Sequence, residues 1–376
     1  MITELDVGGA EKALVSLATG LDKSRWNVQV IALGSEGPLS EPLRASGLTV
    51  RCLDVSPRRP ARALFRLTSA LRSHSPALIQ SFLFHANVAA RFAAPLLSGN
   101  PCVLSGIRVA ERQKRWHLRL DRLTSRFCTG AVCVSEGVRR FSSVEGGWPE
   151  DRLVVIPNGV DPAPIDRAEP IAREELGVPA DAFLALFVGR LSVQKGLTSL
   201  LDAVERVFPE RPDFHLALAG DGPDARQLAN RLAECPSLAA HVHMLGHRLD
   251  VPALLKTADL FVLPSLWEGM PNALLEAMAA GLASVATRVE GIENLVTPET
   301  GWLVPPAEPK ILAARLLEAA TNRERLKDMG REARAVVVAN YTPERVVESY
   351  ERLWEALLGL DHEQRKTRLG AQVTLK

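Results

Sequence analysis

Short apolar runs that read as buried strands alternate with helix-period segments along this chain of 376 residues, and the alternation occurs twice. The first series of strand-like runs is 26–33, 50–53, 77–81, 102–105, 131–134 and 153–156. The second is 184–188, 215–219, 242–245, 260–263 and 283–286. Helix patterns fill the intervals and continue through 309–322, 325–340 and 343–358. Regular alternation of this kind predicts an α/β fold with doubly wound, mostly parallel sheets. A proline-rich break at 158–170 (N-G-V-D-P-A-P-I-D-R-A-E-P) separates the two series and predicts a linker. The chain is too long for one ordinary core, so two Rossmann-like domains facing a central cleft are expected, 1–163 and 164–342. The helix 343–358 follows them, and then a polar tail, 359–376, which is expected to fray.

Residues 264–280 read P-S-L-W-E-G-M-P-N-A-L-L-E-A-M-A-A. Pro264 closes the strand before it, and Pro271 suits the first turn of a helix, where its missing N–H would have no partner anyway. Glu268 therefore falls in a strand-to-helix loop, and Glu276 about one turn into the helix, toward the same crevice. Open α/β sheets bind anionic ligands at such a place. The N–H groups of Asn272, Ala273 and Leu274 suit a phosphate or a sugar oxygen, Glu276 suits ribose hydroxyls, and Glu268 a sugar. For two glutamates taken alone, a polar cap on an ordinary helix is the competing reading.

Other loops carry compatible groups. Gly189, Arg190 and, five residues later, Lys195 stand after the first strand of the second series. A guanidinium fork and an ammonium suit a pyrophosphate, although two solvated surface charges remain the plain alternative. A-G-D-G-P at 219–223 permits a tight turn near a ligand but is not the G-x-G-x-x-G dinucleotide fingerprint, which argues against NAD. Gly8 and Gly9 lie between a short strand end, Met1 to Thr3, and a helix, where bare backbone can approach a ligand closely. His85 follows a strand of the first series and is either a proton carrier or a structural histidine. No metal-ligand spacing, G-x-S-x-G elbow or Walker loop is present.

Charge is divided unevenly. The total is +1, but residues 1–165 carry 21 Lys and Arg against 14 Asp and Glu, and the remainder 24 against 30. Much of the excess falls in 108–127, with seven basic residues against two acidic ones. There Trp116, Leu120, Leu123 and Phe127 recur at helical spacing. A basic amphipathic helix is expected, either meeting an anionic membrane surface or a phosphate-bearing acceptor, or packing its apolar side on the core with a solvated basic face. Aromatics at 5% are too sparse for nucleic-acid stacking platforms. No apolar run is long enough for a membrane span and no leader is visible. Five scattered cysteines without a C-x-x-C pair fit a reducing cytoplasm.

Taken in order, G-G-A-E at 8–11, I-P-N-G-V-D at 156–161, V-G-R-L with K-G at 188–196, A-G-D-G-P, the E-x7-E segment and G-W-L-V-P-P at 301–306 resemble the retaining GT-B glycosyltransferases of family four. The likeness runs from Gly8 to about Leu358. It implies transfer of a sugar from a nucleoside diphosphate sugar to an acceptor hydroxyl with retention and without a catalytic metal or other cofactor. It also implies that the helix 343–358 crosses back to the first domain. Arg190 and Lys195 match the pyrophosphate pair of the family, Glu276 its ribose anchor, Glu268 its donor-sugar contact, and Gly9 its phosphate-approaching loop. The implied acceptor is a glycan, lipid-linked or in a cell-surface polysaccharide, met at the inner face of the membrane.

Two departures stand out. Many relatives carry a histidine in the loop after the 102–105 strand, where this chain has Ile107-Arg108. Either Arg108 or His85 takes over that contact with the sugar or acceptor. Relatives also begin with a full first strand, where only Met1 to Thr3 stand here, and a start placed too late in the gene is the expected explanation. A nucleotide-sugar epimerase would require a dense set of cleft carboxylates and histidines. An inactive nucleotide- or glycan-binding subunit would not require intact Arg190, Lys195, Glu268 and Glu276.

Overall fold

The computed structural model of the chain describes residues 1–55 and 60–359, so beyond Gly359 the expected fraying of the tail lies outside the described residues. The chain forms two compact units, one of Met1–Gly159 together with the chain from Pro343 onward, the other of Val160–Thr342. Both are α/β and all their paired strands are parallel.

In the first unit, β1 (Gln29–Ala32) pairs with β2 (Thr49–Cys52). The strands β3 (Leu78–Phe82), β4 (Cys102–Ile107), β5 (Gly130–Cys133) and β6 (Leu153–Val155) form a second sheet in that order. Met1 and Ile2 stitch the two together. Ile2 N–H donates to Ile31 and its carbonyl accepts from Leu33, both at 3.0 Å, while the Met1 carbonyl accepts from Phe82 at 2.9 Å. Beside this short seam lies a cavity of about 410 Å³ lined by Leu14, Trp26, Val28, Leu78 and Trp354. The helix Pro343–Leu358 belongs to this core. Its buried Val347, Tyr350, Leu353, Trp354 and Leu357 recur at helical spacing on one face. Trp354 meets Trp26 edge-on at 5.3 Å, and the Trp26 indole N–H donates to Glu351 at 2.7 Å.

In the second unit, β7 (Phe183–Val188), β8 (Phe214–Ala219), β9 (Val242–Gly246), β10 (Leu260–Leu263), β11 (Ser284–Thr287) and β12 (Gly301–Val304) form one six-stranded sheet. The spatial order is β12-β11-β10-β7-β8-β9. The edge strand β12 has no counterpart in the sequence reading, where G-W-L-V at 301–304 stands only as the start of the G-W-L-V-P-P motif.

The basic segment 108–127 differs more. Helix covers only Arg115–Thr124, with a single tight turn at Ser125–Phe127. Glu111 accepts from the N–H groups of Gln113 and Lys114, each at 3.0 Å, and holds the preceding residues in a separate turn. The helix is also turned around relative to its apolar pattern. Arg91, fully buried, donates to Ser105 Oγ, Asp121 Oδ1 and Thr124 Oγ1 at 2.8–3.0 Å. Trp148 Nε1 donates to the other Asp121 oxygen at 2.6 Å. A buried guanidinium requires such partners, so His117, Asp121 and Thr124 face inward, while Trp116 and Leu123 are left 56% and 67% exposed.

Candidate active site

In the second unit the chain passes from β7 to β8 and β9 on one side, then returns to β10 on the other. The loops after β7 and β10 therefore part at the switch point, where such sheets open a crevice. The first loop carries Arg190 and Lys195, the second Glu268. Leu266 N–H donates to the Gln194 carbonyl at 2.7 Å, and Gln194 Nε2 to the Trp267 carbonyl at 2.9 Å. Gly196 permits this approach: its φ is +64°, and a Cβ there would lie 2.1 Å from the Pro264 carbonyl oxygen. The A-G-D-G-P turn backs the first loop in the same way, since a Cβ on Gly220 would lie 1.9 Å from the Gly189 carbonyl oxygen.

The two loops place Lys195 Nζ 2.5 Å from Glu268 Oε1, and Ser265 Oγ donates to the same oxygen at 2.7 Å. Their side chains are 15% and 7% exposed. Thr287, at the end of β11, donates to the Ser265 carbonyl at 2.5 Å and fixes that turn. Arg190 stands exposed on the rim. The helix Asn272–Ala279 begins directly after Pro271, with Glu276 half-buried on it. The expectation for Leu274 needs correction: its N–H already donates to the Pro271 carbonyl at 3.1 Å, inside the first turn of the helix. Ser265 and Thr287 carried no sequence signal as site residues. Ser265 reaches Glu268 within their own loop, and only the folded sheet brings Thr287 to Ser265.

The first unit has its own constellation at strand ends. The helix Gly9–Gly20 starts in the Gly8-Gly9 loop. The Glu11 carboxylate folds back over it, 2.3 Å from where a Cβ on Gly8 would stand. Burial raises the Glu11 carboxyl above the usual range. After β3 the backbone turns sharply at Leu83, with φ +72° and ψ 153°, a strained conformation for a branched side chain. Asn87 holds that turn: it accepts from Ser81 Oγ at 2.8 Å, donates to the Gly106 carbonyl at 2.9 Å, and its N–H donates to the Leu83 carbonyl at 2.9 Å.

His85 therefore projects, largely exposed, from the first turn of the helix Phe84–Ala93, and partial desolvation against its neighbours, then Lys114, keeps its pKa below the ordinary value. Beside it, buried His117 stacks on Phe84 at 3.7 Å, with Nδ1 3.3 Å from Glu111. Asn87 and His117 escaped the sequence reading, since a polar residue inside a helix looks the same whether it faces solvent or a turn. Arg108 is engaged internally. It donates to Asn158 of the I-P-N-G-V-D stretch and lies over the Phe82 ring at 5.4 Å. Burial lowers its pKa against the opposing pull of Tyr350 and Glu11. Among the described residues no group of three or more His, Cys, Asp or Glu side chains is arranged to hold a metal ion.

Residues 182–322 match the family described as Glycosyl transferases group 1, and residues 7–164 match Glycosyltransferase Family 4. An Escherichia coli UDP-Gal:alpha-D-GlcNAc-diphosphoundecaprenol alpha-1,3-galactosyltransferase is 29% identical over 301 residues, covering 76% of this chain and 77% of that enzyme. A Mycobacterium tuberculosis phosphatidyl-myo-inositol mannosyltransferase is 32% identical over 238 residues, 61% of this chain but only 60% of its own length. Among solved structures, Anabaena HepE in complex with UDP-glucose superposes with a TM-score of 0.82 at 21% identity, covering 94% of this chain and 98% of that one. A Rickettsia africae glycosyltransferase gives 0.81 at 17% identity, covering 96% and 98%. With both units matched in order and the GT-B fold in its structural neighbours, the chain belongs to the group 1, family 4 glycosyltransferases.

Proposed function

We propose that this protein is a retaining, metal-independent hexosyltransferase that moves a sugar from a nucleoside diphosphate sugar to a glycan acceptor, lipid-linked or bound for a cell-surface polysaccharide. The observation that carries this reading is the Lys195–Glu268 pair at the switch point of the second sheet, beside the helix that bears Glu276. Charge builds on the leaving diphosphate as the glycosidic bond breaks. Arg190, Lys195 and the N–H groups of Asn272 and Ala273 supply positive potential there, so a divalent cation is not required. Gly189 lets the backbone of the first loop come close to the phosphates, and Glu276 anchors the ribose. Glu268 orients the sugar and supports the positive charge developing on its ring. Retention then follows from attack on the face the diphosphate leaves, with a phosphate oxygen taking the acceptor proton.

The family resemblance gives Gly8 and Gly9 a share in the phosphates and His85 a contact with the sugar. Arg108 reads as a positioning group rather than an acceptor contact, given its bond to Asn158. The names of the relatives favour UDP-hexoses as first donors to try and a polyprenyl diphosphate-linked glycan or phosphatidylinositol as first acceptors.

The test is a panel of UDP-, GDP- and ADP-sugars with and without EDTA, scored for nucleoside diphosphate release and product anomer. Release of the diphosphate with an unchanged anomer in EDTA supports the reading. Inverted product or an absolute need for a divalent ion sinks the retaining, metal-free part. Epimer formation without release would assign an epimerase, and binding without turnover an inactive subunit.

A further inference from the structure

We infer that the outward face of the helix Arg115–Thr124 is a docking surface for an anionic lipid bilayer. The helix is fastened to the first unit through its polar side, by the Arg91–Asp121–Thr124 network and by His117 stacked on Phe84. That anchoring turns its apolar side out. Trp116 and Leu123 lie two turns apart on one line, with Arg119 between them. The line continues at Phe127, 38% exposed, whose ring meets that of Phe92, 44% exposed, at 6.3 Å. Exposed large side chains in so short a stretch mark a surface that something covers.

The charge around this patch selects the occupant. Arg112, Lys114, Arg115, Arg119, Arg122 and Arg126 are all exposed. The two acids of the stretch are turned inward, Glu111 to His117 and Asp121 to Arg91, so no exposed carboxylate between 111 and 127 offsets them. Arg115, Arg119, Arg122 and Arg126 follow the spacing of one helical stripe. A partner protein would have to bury five or six such cations against matching acids. A bilayer of anionic lipid takes the arginines at its headgroups and the indole, leucine and phenyl groups at the acyl boundary. No described helix is long and apolar enough to cross a membrane, so contact here is lateral.

The experiment is cosedimentation of the full chain at low salt with vesicles of phosphatidylcholine alone and of phosphatidylcholine and phosphatidylglycerol in equal parts. Expected is binding to the anionic vesicles only, released by salt. Arg115→Glu/Arg119→Glu/Arg122→Glu loses binding by about fivefold or more per charge. Trp116→Ala/Leu123→Ala weakens it at unchanged charge, and Lys310→Glu, an exposed reversal on the second unit, leaves it intact. Donor hydrolysis in solution stays at the wild-type rate in all three variants, which separates a docking defect from misfolding. The inference is overturned if wild type ignores the anionic vesicles or if the triple reversal binds them equally well. It is also overturned if Trp116→Ala/Leu123→Ala splits a dimer seen by sedimentation, because that result assigns the face to a second copy of the chain.

Discussion

Lys195 and Glu268, 73 residues apart in the chain, form a direct ion pair of 2.5 Å between the loops after β7 and β10. The Glu268 carboxylate takes one of the three N–H donors of Lys195 and stands as a like charge beside any phosphate bound there, so Glu268 competes with a donor diphosphate for the field of the same ammonium. Glu268→Gln should then bind the free nucleoside diphosphate as tightly as wild type or more tightly, while transfer falls by about a hundredfold or more through loss of ring stabilisation. Lys195→Ala should weaken diphosphate binding at least about tenfold. Calorimetric titration with UDP and GDP, set beside turnover, checks both. Equal weakening in the two variants would mean that Glu268 supports phosphate binding rather than competing with it.

Gly196 fixes the spacing on which that pair depends. With φ at +64° and a virtual Cβ 2.1 Å from the Pro264 carbonyl, Gly196→Ala carries both backbone strain and a backbone clash. We expect a loss of stability of about 1–3 kcal/mol and a fall in turnover larger than in neighbouring-loop controls such as Val193→Ala. Thermal melting and donor hydrolysis measure the two. A variant as stable and active as wild type would show that the loops need not be held this close.

Much of this was legible beforehand because period and loop chemistry are local. The strand–helix alternation and the E-x7-E segment placed Glu268 in its loop, and the G-R-L…K-G spacing placed Lys195 in another. What could not be read was pairing. That β7 and β10 are neighbours is a property of crossover order, and with it came the contact between Lys195 and Glu268; the bond from Thr287 to the Ser265 carbonyl comes in the same way with the pairing of β10 and β11. The helix Arg115–Thr124 shows the same limit. Its apolar spacing leaves open whether Trp116 and Leu123 face the core or the outside; a buried arginine on another helix decides the matter, and no local window contains Arg91.

Arg91 therefore offers a sharp test of what holds the first unit. Replacing one partner of a buried pair leaves the other without compensation, so Arg91→Leu should cost about 3–5 kcal/mol. Arg91→Leu/Asp121→Leu should recover a good part of that, since both polar groups are removed together. Calorimetric melting of the single and double variants reads the coupling. Strictly additive losses would mean that Arg91 contributes through packing against Trp148, 5.0 Å away, and not through Asp121.

The second unit carries a pH liability of its own in three neighbouring histidines. His215 on β8 is buried, its Nδ1 lies 2.9 Å from His243 Nε2 on β9, and the His241 ring is 5.1 Å away. Burial first, then His243 and His241, push the His215 pKa down to about 4, with Asp213 opposing. Because the folded value is the lower one, the unfolded chain binds the proton more readily. This contribution is therefore complete above the ordinary histidine range near 6.5 and is lost as pH falls from there toward 4. The imidazolium would have to sit among two other rings with no carboxylate bonded to it, since Asp213 is already paired with Arg211. We expect wild-type stability to drop by on the order of 2–3 kcal/mol across that window from this source. His215→Gln should melt with a visibly flatter dependence on pH between 7 and about 4.5. Parallel profiles for the two proteins would place the acid sensitivity elsewhere, and a profile flattened only by His243→Gln would move it to the other member of the pair.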